Sequence, residues 1–86
     1  MLTQRIAKGE VIMKTPAEIK KEMGGRLKQA REKAGYPAPQ DFCEKNNLPV
    51  DIYLQHENGE RGIKASNAQE YCKLLKVSMD WLIIGT

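Results

Sequence analysis

Residues Ala38 to Gly59 read APQDFCEKNNLPVDIYLQHENG, and the fold turns on this stretch. Pro39 suits a first helical position, where its missing N–H would be unpaired in any case. A short helix is predicted from Pro39 to Asn46. Asn46-Asn47 ends it, because asparagine tolerates the left-handed backbone of a helix terminus second only to glycine. Leu48 anchors the turn. Pro49 then opens a second helix that runs to about Asn58, with Gly59 as its stop. The pattern is helix, tight turn, helix.

Two helices that cross closely need a small residue on the first, a residue allowing positive φ in the turn, and an apolar residue inside the second. Cys43, Asn47 and Tyr53 stand at the spacing for these three jobs. The spacing fits a DNA-type helix-turn-helix. It equally fits an αα-hairpin with no nucleic-acid role.

Upstream, Tyr36-Pro37-Ala38-Pro39 is a stiff connector. Before it, a helix is predicted from Pro16 or Ala17 to Ala34, with Thr15 as cap, Pro16 in the first turn and Gly35 as stop. Ile19, Met23, Leu27, Ala30 and Ala34 recur at steps of three and four and form one buried stripe. Gly24-Gly25 weakens the middle by roughly 1 kcal/mol per glycine relative to alanine. The pair implies either close helix packing or a frayed first half. Residues 1–15 show no amphipathic period and read as a flexible N-terminal extension or basic arm, separate from a domain at 16–86. Met13 in MKTPAEIKKE is an alternative start.

Downstream, Gly59 to Lys64 form a loop. A fourth helix starts near Ala65 or Ser66, with Ser66 and Gln69 at capping-box spacing. Ala68, Tyr71, Cys72 and Leu75 are its apolar face. Ser78 caps a fifth, short helix, MDWLII, ending at Gly85. Period-2 alternation is absent throughout, so the fold class is all-α.

An 86-residue chain with 41% hydrophobic and 29% charged residues suits one small globular domain. Cys43 and Cys72 fall on apolar helix faces and read as buried thiols of a reducing cytoplasm. There is no CxxC, and the single His56 has no partner at ligand spacing, so no metal site is expected. No apolar run approaches the roughly 18 residues of a membrane span. No nucleophile–base pair, carboxylate pair or phosphate-cradling glycine loop is present. Neither an enzyme, a cofactor nor a small-molecule ligand is expected.

Net charge is +3 but unevenly placed. Residues 16–35 carry Lys20, Lys21, Arg26, Lys28, Arg31 and Lys33 against three glutamates. These six cations form either a solvated face or a partial phosphate contact. Residues 36–60 carry Lys45 alone against Asp41, Glu44, Asp51, Glu57 and Glu60, a net −4. The helix-turn-helix stretch is thus the acidic part of a basic chain, which opposes phosphate binding.

From Gly25 onward the chain resembles the lambda-repressor-like (XRE/Cro type) helix-turn-helix family. The matching stretches are GGRLKQAREKAG, HENGERG and LLKVSMDWLIIG, at the family's spacing over about sixty residues. The pattern Tyr53, His56, Glu57, Asn58, Gly59, Arg61, Gly62 is similar to the N-terminal domain of phage-type and LexA-like repressors. The resemblance implies a compact five-helix bundle. It also implies a transcriptional regulator that binds double-stranded operator DNA as a homodimer, with its third helix in the major groove. Carried over by position, the readers would be Val50, Asp51, Leu54 and Gln55. Gln40 would touch backbone or a base, and Asn58, Arg61 and Lys64 would meet phosphates. Val50 and Leu54 can contact only thymine methyls or pack, Gln55 can pair with adenine, and Asp51 can accept from a cytosine amino group.

Each residue also has a plainer reading. Asp51 can stabilise the helix N-terminus. Tyr53 can pack in the core, leaving its hydroxyl free to reach a phosphate. His56 reads as a packing or capping residue. Glu57 is within sequence reach of Arg61 or a backbone amide. A protein-interaction module, antitoxin-like or an anti-repressor partner, is the rival function, supported by the acidic stretch and by Val50 and Leu54.

Trp81-Leu82-Ile83-Ile84 closes the argument. A helix cannot bury four consecutive large apolar residues against its own domain. Leu82 is expected to face the core, with Trp81 along its edge and Ile83 or Ile84 exposed. Trp81, Ile83 and Ile84 are therefore the expected dimer interface.

Overall fold

Thr15 starts the first helix by a reciprocal cap. Its hydroxyl accepts from the Glu18 N–H at 3.1 Å, and the Glu18 carboxylate accepts from the Thr15 N–H at 2.8 Å. The computed structural model describes residues 14–86. Almost all of the expected N-terminal extension, and the alternative start at Met13, lie outside the described residues. Five helices follow in order: α1 (Pro16–Lys33), α2 (Pro39–Asn46), α3 (Val50–Asn58), α4 (Ala65–Leu75) and α5 (Met79–Ile83). Among the described residues there is no strand, and no helix is long and apolar enough to cross a membrane.

The turns form where the sequence supplies the backbone for them. Asn47 ends α2 with φ 59° and ψ 46°, and the Leu48 N–H donates back to the Cys43 carbonyl at 2.8 Å. Pro49 is the residue just before α3 rather than its first turn. Gly59 ends α3 at φ 76°, and the Glu60 and Arg61 N–H groups both return to the Gln55 carbonyl. Lys76 ends α4 in the same left-handed region, at φ 60°, without being glycine. Ser78 caps α5, accepting from the Trp81 N–H at 3.0 Å.

α1 runs through the molecule and touches every other helix, most extensively α3. Gly24 is the closest approach. A Cβ there would collide with the Glu57 carbonyl oxygen and come within 2.5 Å of that of His56. The glycine pair thus marks close packing at Gly24, while Gly25 faces open space. The expected stripe holds at Met23, Leu27 and Ala30 but not at its ends: Ile19 and Ala34 are exposed. Ile19 lies in the first turn of α1, and Ala34 is its C-cap, just past Lys33 and open to a groove. Gly24 and Arg31 join the buried side instead.

The core is built around Phe42. The Tyr36 and Tyr53 rings each lie 5.2 Å from it, and Tyr71 meets Tyr53 edge-on at 5.4 Å. Such tilted pairs place the positive edge of one ring against the negative face of the next. Cys43 and Ala68 fill the tight positions between helices, and both cysteines are free thiols. Burial pushes both thiols above their ordinary range. Ala68, Tyr71, Cys72 and Leu75 are all buried on α4, and Leu82 seals the far end from α5. Arg26 fastens that end: its guanidinium donates to the Leu82 and Ile83 carbonyls at 2.7 and 2.8 Å.

Candidate nucleic-acid interface

The outer face of α3 carries most of the expected base readers. Residues 50, 54 and 58 follow one another at helical steps of four, with 51 and 55 alongside, so all five share one side of the helix. Asp51, Leu54 and Asn58 are exposed and Gln55 is half-exposed. Val50 is partly withdrawn, because it packs against the core. None of the Asp51, Gln55, Asn58, Arg61 and Lys64 side chains hydrogen-bonds another described residue, so their polar atoms face solvent. Gln40, at the start of α2, differs: its amide donates to Glu44 Oε2 at 2.9 Å.

The opposite side of α3 is locked. Arg31 is 2% exposed, and its guanidinium is fully engaged. Nε donates to Glu57 Oε2 at 2.7 Å, Nη2 to Glu57 Oε1 at 3.4 Å, and Nη1 to the Tyr36 carbonyl at 2.7 Å. The Tyr53 hydroxyl donates to the same Glu57 oxygen at 2.6 Å. Two sequence expectations are corrected here. Glu57 pairs with Arg31 and not with Arg61 or a backbone amide, because it points inward toward α1. The Tyr53 hydroxyl is not free for a phosphate, because its ring is wholly buried and its proton is given to Glu57. Burial and that bond push the Tyr53 hydroxyl far above the tyrosine range. Burial opposes the charge on Arg31, but the paired carboxylate outweighs it and raises the guanidinium further.

This pairing changes the charge count of the surface. Glu57 is compensated inside, so the exposed charges of the helix-turn-helix stretch are Asp41, Glu44, Asp51 and Glu60 against Lys45. Beyond the end of α3 the sign reverses. Arg61 and Lys64 line a hollow of about 310 Å³ together with Ile52, His56, Gly62 and Asn67. The stem of Lys20 from α1 reaches Gly62: a Cβ there would lie 3.9 Å from Lys20 Cδ. The start of α4 opens beside this hollow with Lys64 as its cap residue and no side chain accepting from its first N–H groups. The capping box expected from Ser66 and Gln69 does not form, because α4 begins two residues too early for it, with Lys64 rather than Ser66 at the cap. Ser66 turns to Asn67 instead.

His56 forms the back wall of the hollow. It is buried, and its Nδ1 is paired with the Tyr71 hydroxyl at 2.8 Å. Burial, then the nearby Arg61 charge, lowers its pKa below the ordinary histidine value, so the ring is neutral at pH 7. Burial raises the Tyr71 hydroxyl to about 12, against a smaller opposing effect of Asn67. These are the properties of a packed wall rather than of an acid–base catalyst. The sequence pattern does not reveal Asn67 as a lining residue, and it puts Lys20 only among six cations that form either a solvated face or a partial phosphate contact. The contact of Lys20 with Gly62 depends on how α1 crosses the loop, which no local pattern encodes. Among the described residues no group of three or more His, Cys, Asp or Glu side chains could hold a metal ion.

No protein-family model matches the chain, and no curated protein matches it in sequence.

Proposed function

We propose that the chain is a lambda-repressor-like transcriptional regulator that binds operator DNA as a dimer, with α3 in the major groove. The observation that carries this reading is the cationic hollow at the junction of α3 and α4. Arg61, Lys64 and Lys20 gather where an uncapped helix N-terminus also points, and N–H groups and cations together suit a phosphate. Next to it, α3 presents Asp51, Leu54, Gln55 and Asn58 without internal hydrogen bonds. In this reading the hollow grips the backbone and sets the register, while α3 reads bases. Gln55 pairs with adenine, Leu54 meets a thymine methyl, and Asp51 accepts from cytosine. Regulation proceeds by occluding or recruiting polymerase, without catalysis.

The test is selection from randomised duplexes by the wild type, Arg61→Ala and Gln55→Ala. Arg61→Ala should weaken every duplex alike and reduce the salt slope by about one. Gln55→Ala should change the preferred site, with a loss of roughly 1–3 kcal/mol of discrimination at one position. Loss of affinity that depends on sequence for Arg61→Ala would remove it from the backbone contacts.

A second reading is a helix-turn-helix turned protein-interaction module, antitoxin-like or an anti-repressor partner. Leu54, 37% exposed amid Asp41, Glu44, Asp51 and Glu60, favours it. Failure of the wild type to enrich any duplex at low salt would select this reading over the first.

A further inference from the structure

On the side of the molecule built by the C-terminal half of α1 and the α4–α5 corner lies a second groove, of about 570 Å³. That volume falls in the range of roughly 300–1,000 Å³ typical of occupied clefts. Its apolar lining is Leu75, Val77 and Trp81, with Ala30 and Ala34 of α1 opposite. The two charged residues in the lining are both lysines, Lys33 and Lys76, and no carboxylate is among the described residues that line it. Glu32 points away, since it lies on another face of α1 from residues 29, 30, 33 and 34.

Lys76 makes the arrangement more than a chance of composition. It stands at φ 60°, a conformation that is strained for a side-chain-bearing residue and that glycine adopts freely. The chain thus carries a cation at the lip of the groove in a place where glycine would be more stable. Trp81 is half-buried along the same lip, an amphipathic ring of the type that dominates binding surfaces.

We propose that this groove docks an acidic amphipathic segment of a partner protein, with its apolar side chains against Trp81 and Leu75 and its carboxylates over Lys33 and Lys76. Charge decides between occupants. Residues 1–13 of this chain carry Arg5 and Lys8 against Glu10, the wrong sign for a lysine-lipped groove. A second copy paired symmetrically through the exposed Ile83 and Ile84 would leave the groove free, since neither residue is part of its lining. A helix with an apolar stripe and acidic flanks matches both the floor and the rim. The proposal is independent of whether α3 reads DNA.

Trp81 is the single tryptophan of the chain and lines this groove, so its fluorescence responds when the groove is filled. The probe is a synthetic helix of roughly 14 residues with leucines at i and i+4 and glutamates on both flanks, titrated into the full chain. A second peptide replaces every glutamate by lysine. The acidic peptide should shift Trp81 emission, more weakly as salt rises, and the lysine peptide should not. The variant carrying Lys33→Gln and Lys76→Gly should bind the acidic peptide about tenfold less well. Its melting temperature should not fall, because glycine relieves the left-handed position, and this separates lost charge from lost fold. Equal binding of both peptides, or equal binding by the variant, would overturn the proposal. So would a Trp81 shift that follows protein concentration alone, which would mean a second copy, or one produced by duplex DNA and abolished by the same variant.

Discussion

Two neighbouring glycines in α1 have opposite duties. Gly24 lies against the carbonyls of His56 and Glu57, so Gly24→Ala must push α1 and α3 apart. Such overpacking costs about 1–3 kcal/mol, and more where the obstacle is backbone. Gly25→Ala meets nothing within 4 Å and should stabilise the helix by about 1 kcal/mol. Urea unfolding of the two variants should therefore move in opposite directions. Equal shifts would mean that α1 does not approach α3 at Gly24. Glu57 supports a second expectation. Glu57→Gln keeps the shape of the side chain but leaves the Arg31 charge buried without a counter-ion. Removing one partner of such a pair costs about 3–5 kcal/mol. Arg61→Gln, by contrast, should leave the urea midpoint nearly unchanged, since Arg61 is exposed and bonds no other described side chain. Arg31 was also the least legible residue in the sequence. Its charge groups it with the cations of a solvated face or a partial phosphate contact, although it follows Met23 and Leu27 at steps of four and so continues the buried stripe. The position was legible and the residue type misled, because a buried arginine needs a partner that only the tertiary fold brings, here 26 residues away.

At the scale of elements, the termini were written plainly. Thr15-Pro16, Asn47, Gly59 and Ser78 all act where their backbone chemistry placed them. The Ser66–Gln69 pattern fails because α4 starts two residues earlier, at Ala65, which puts Ser66 inside the first turn although Lys64 supplies no side-chain cap. The face of α4 is legible because residues 68, 71, 72 and 75 recur at helical steps of three and four, with Leu74 only half-buried beside them and Ala65 exposed. α5 is different: five residues are too few to hold a helix by backbone bonds alone. Its shape depends on Ser78 at one end and on Arg26 at the other. Arg26→Ala should release the Leu82 and Ile83 carbonyls and loosen α5 while leaving the other helices intact. Amide exchange should then accelerate at residues 82–85 far more than in α3. A uniform acceleration would show that Arg26 acts on the whole fold rather than on α5. The candidate site was legible only in part for the same reason. The α3 face follows from helical spacing, whereas the hollow beside it needs α1, the loop and α4 in place together.

For the molecule as a whole, the C-terminal patch is the exposed apolar surface that most needs a use. Leu82 is wholly buried, while Ile83 is 39% and Ile84 67% exposed. Pairing of two copies through α5 would cover both residues on each subunit at once. It would also present two α3 helices to one duplex, with half-sites roughly 34 Å apart. Sedimentation should show a dimer for the wild type and a monomer for Ile83→Lys with Ile84→Lys, with operator affinity falling in parallel. A wild type that stays monomeric at high micromolar concentration, with and without DNA, would remove dimerisation from the proposed mechanism.

The central place of α1 has a consequence for how the protein is born. The ribosome makes α1 first among these helices, yet the carbonyls that Arg26 holds come 56 residues later. At about 5–20 residues per second, the long helix waits several seconds with its Leu27 side open to water. During that wait the Arg31 charge is solvated, and it can go inside only once Glu57 has emerged. Helices α2 and α3 can settle on α1 as soon as they emerge, whereas the side of α1 that meets α4 and α5 stays open until the last helix is made. Nascent chains arrested at increasing length should therefore gain protease resistance in two steps, the first once α3 clears the exit tunnel and the second once α5 does.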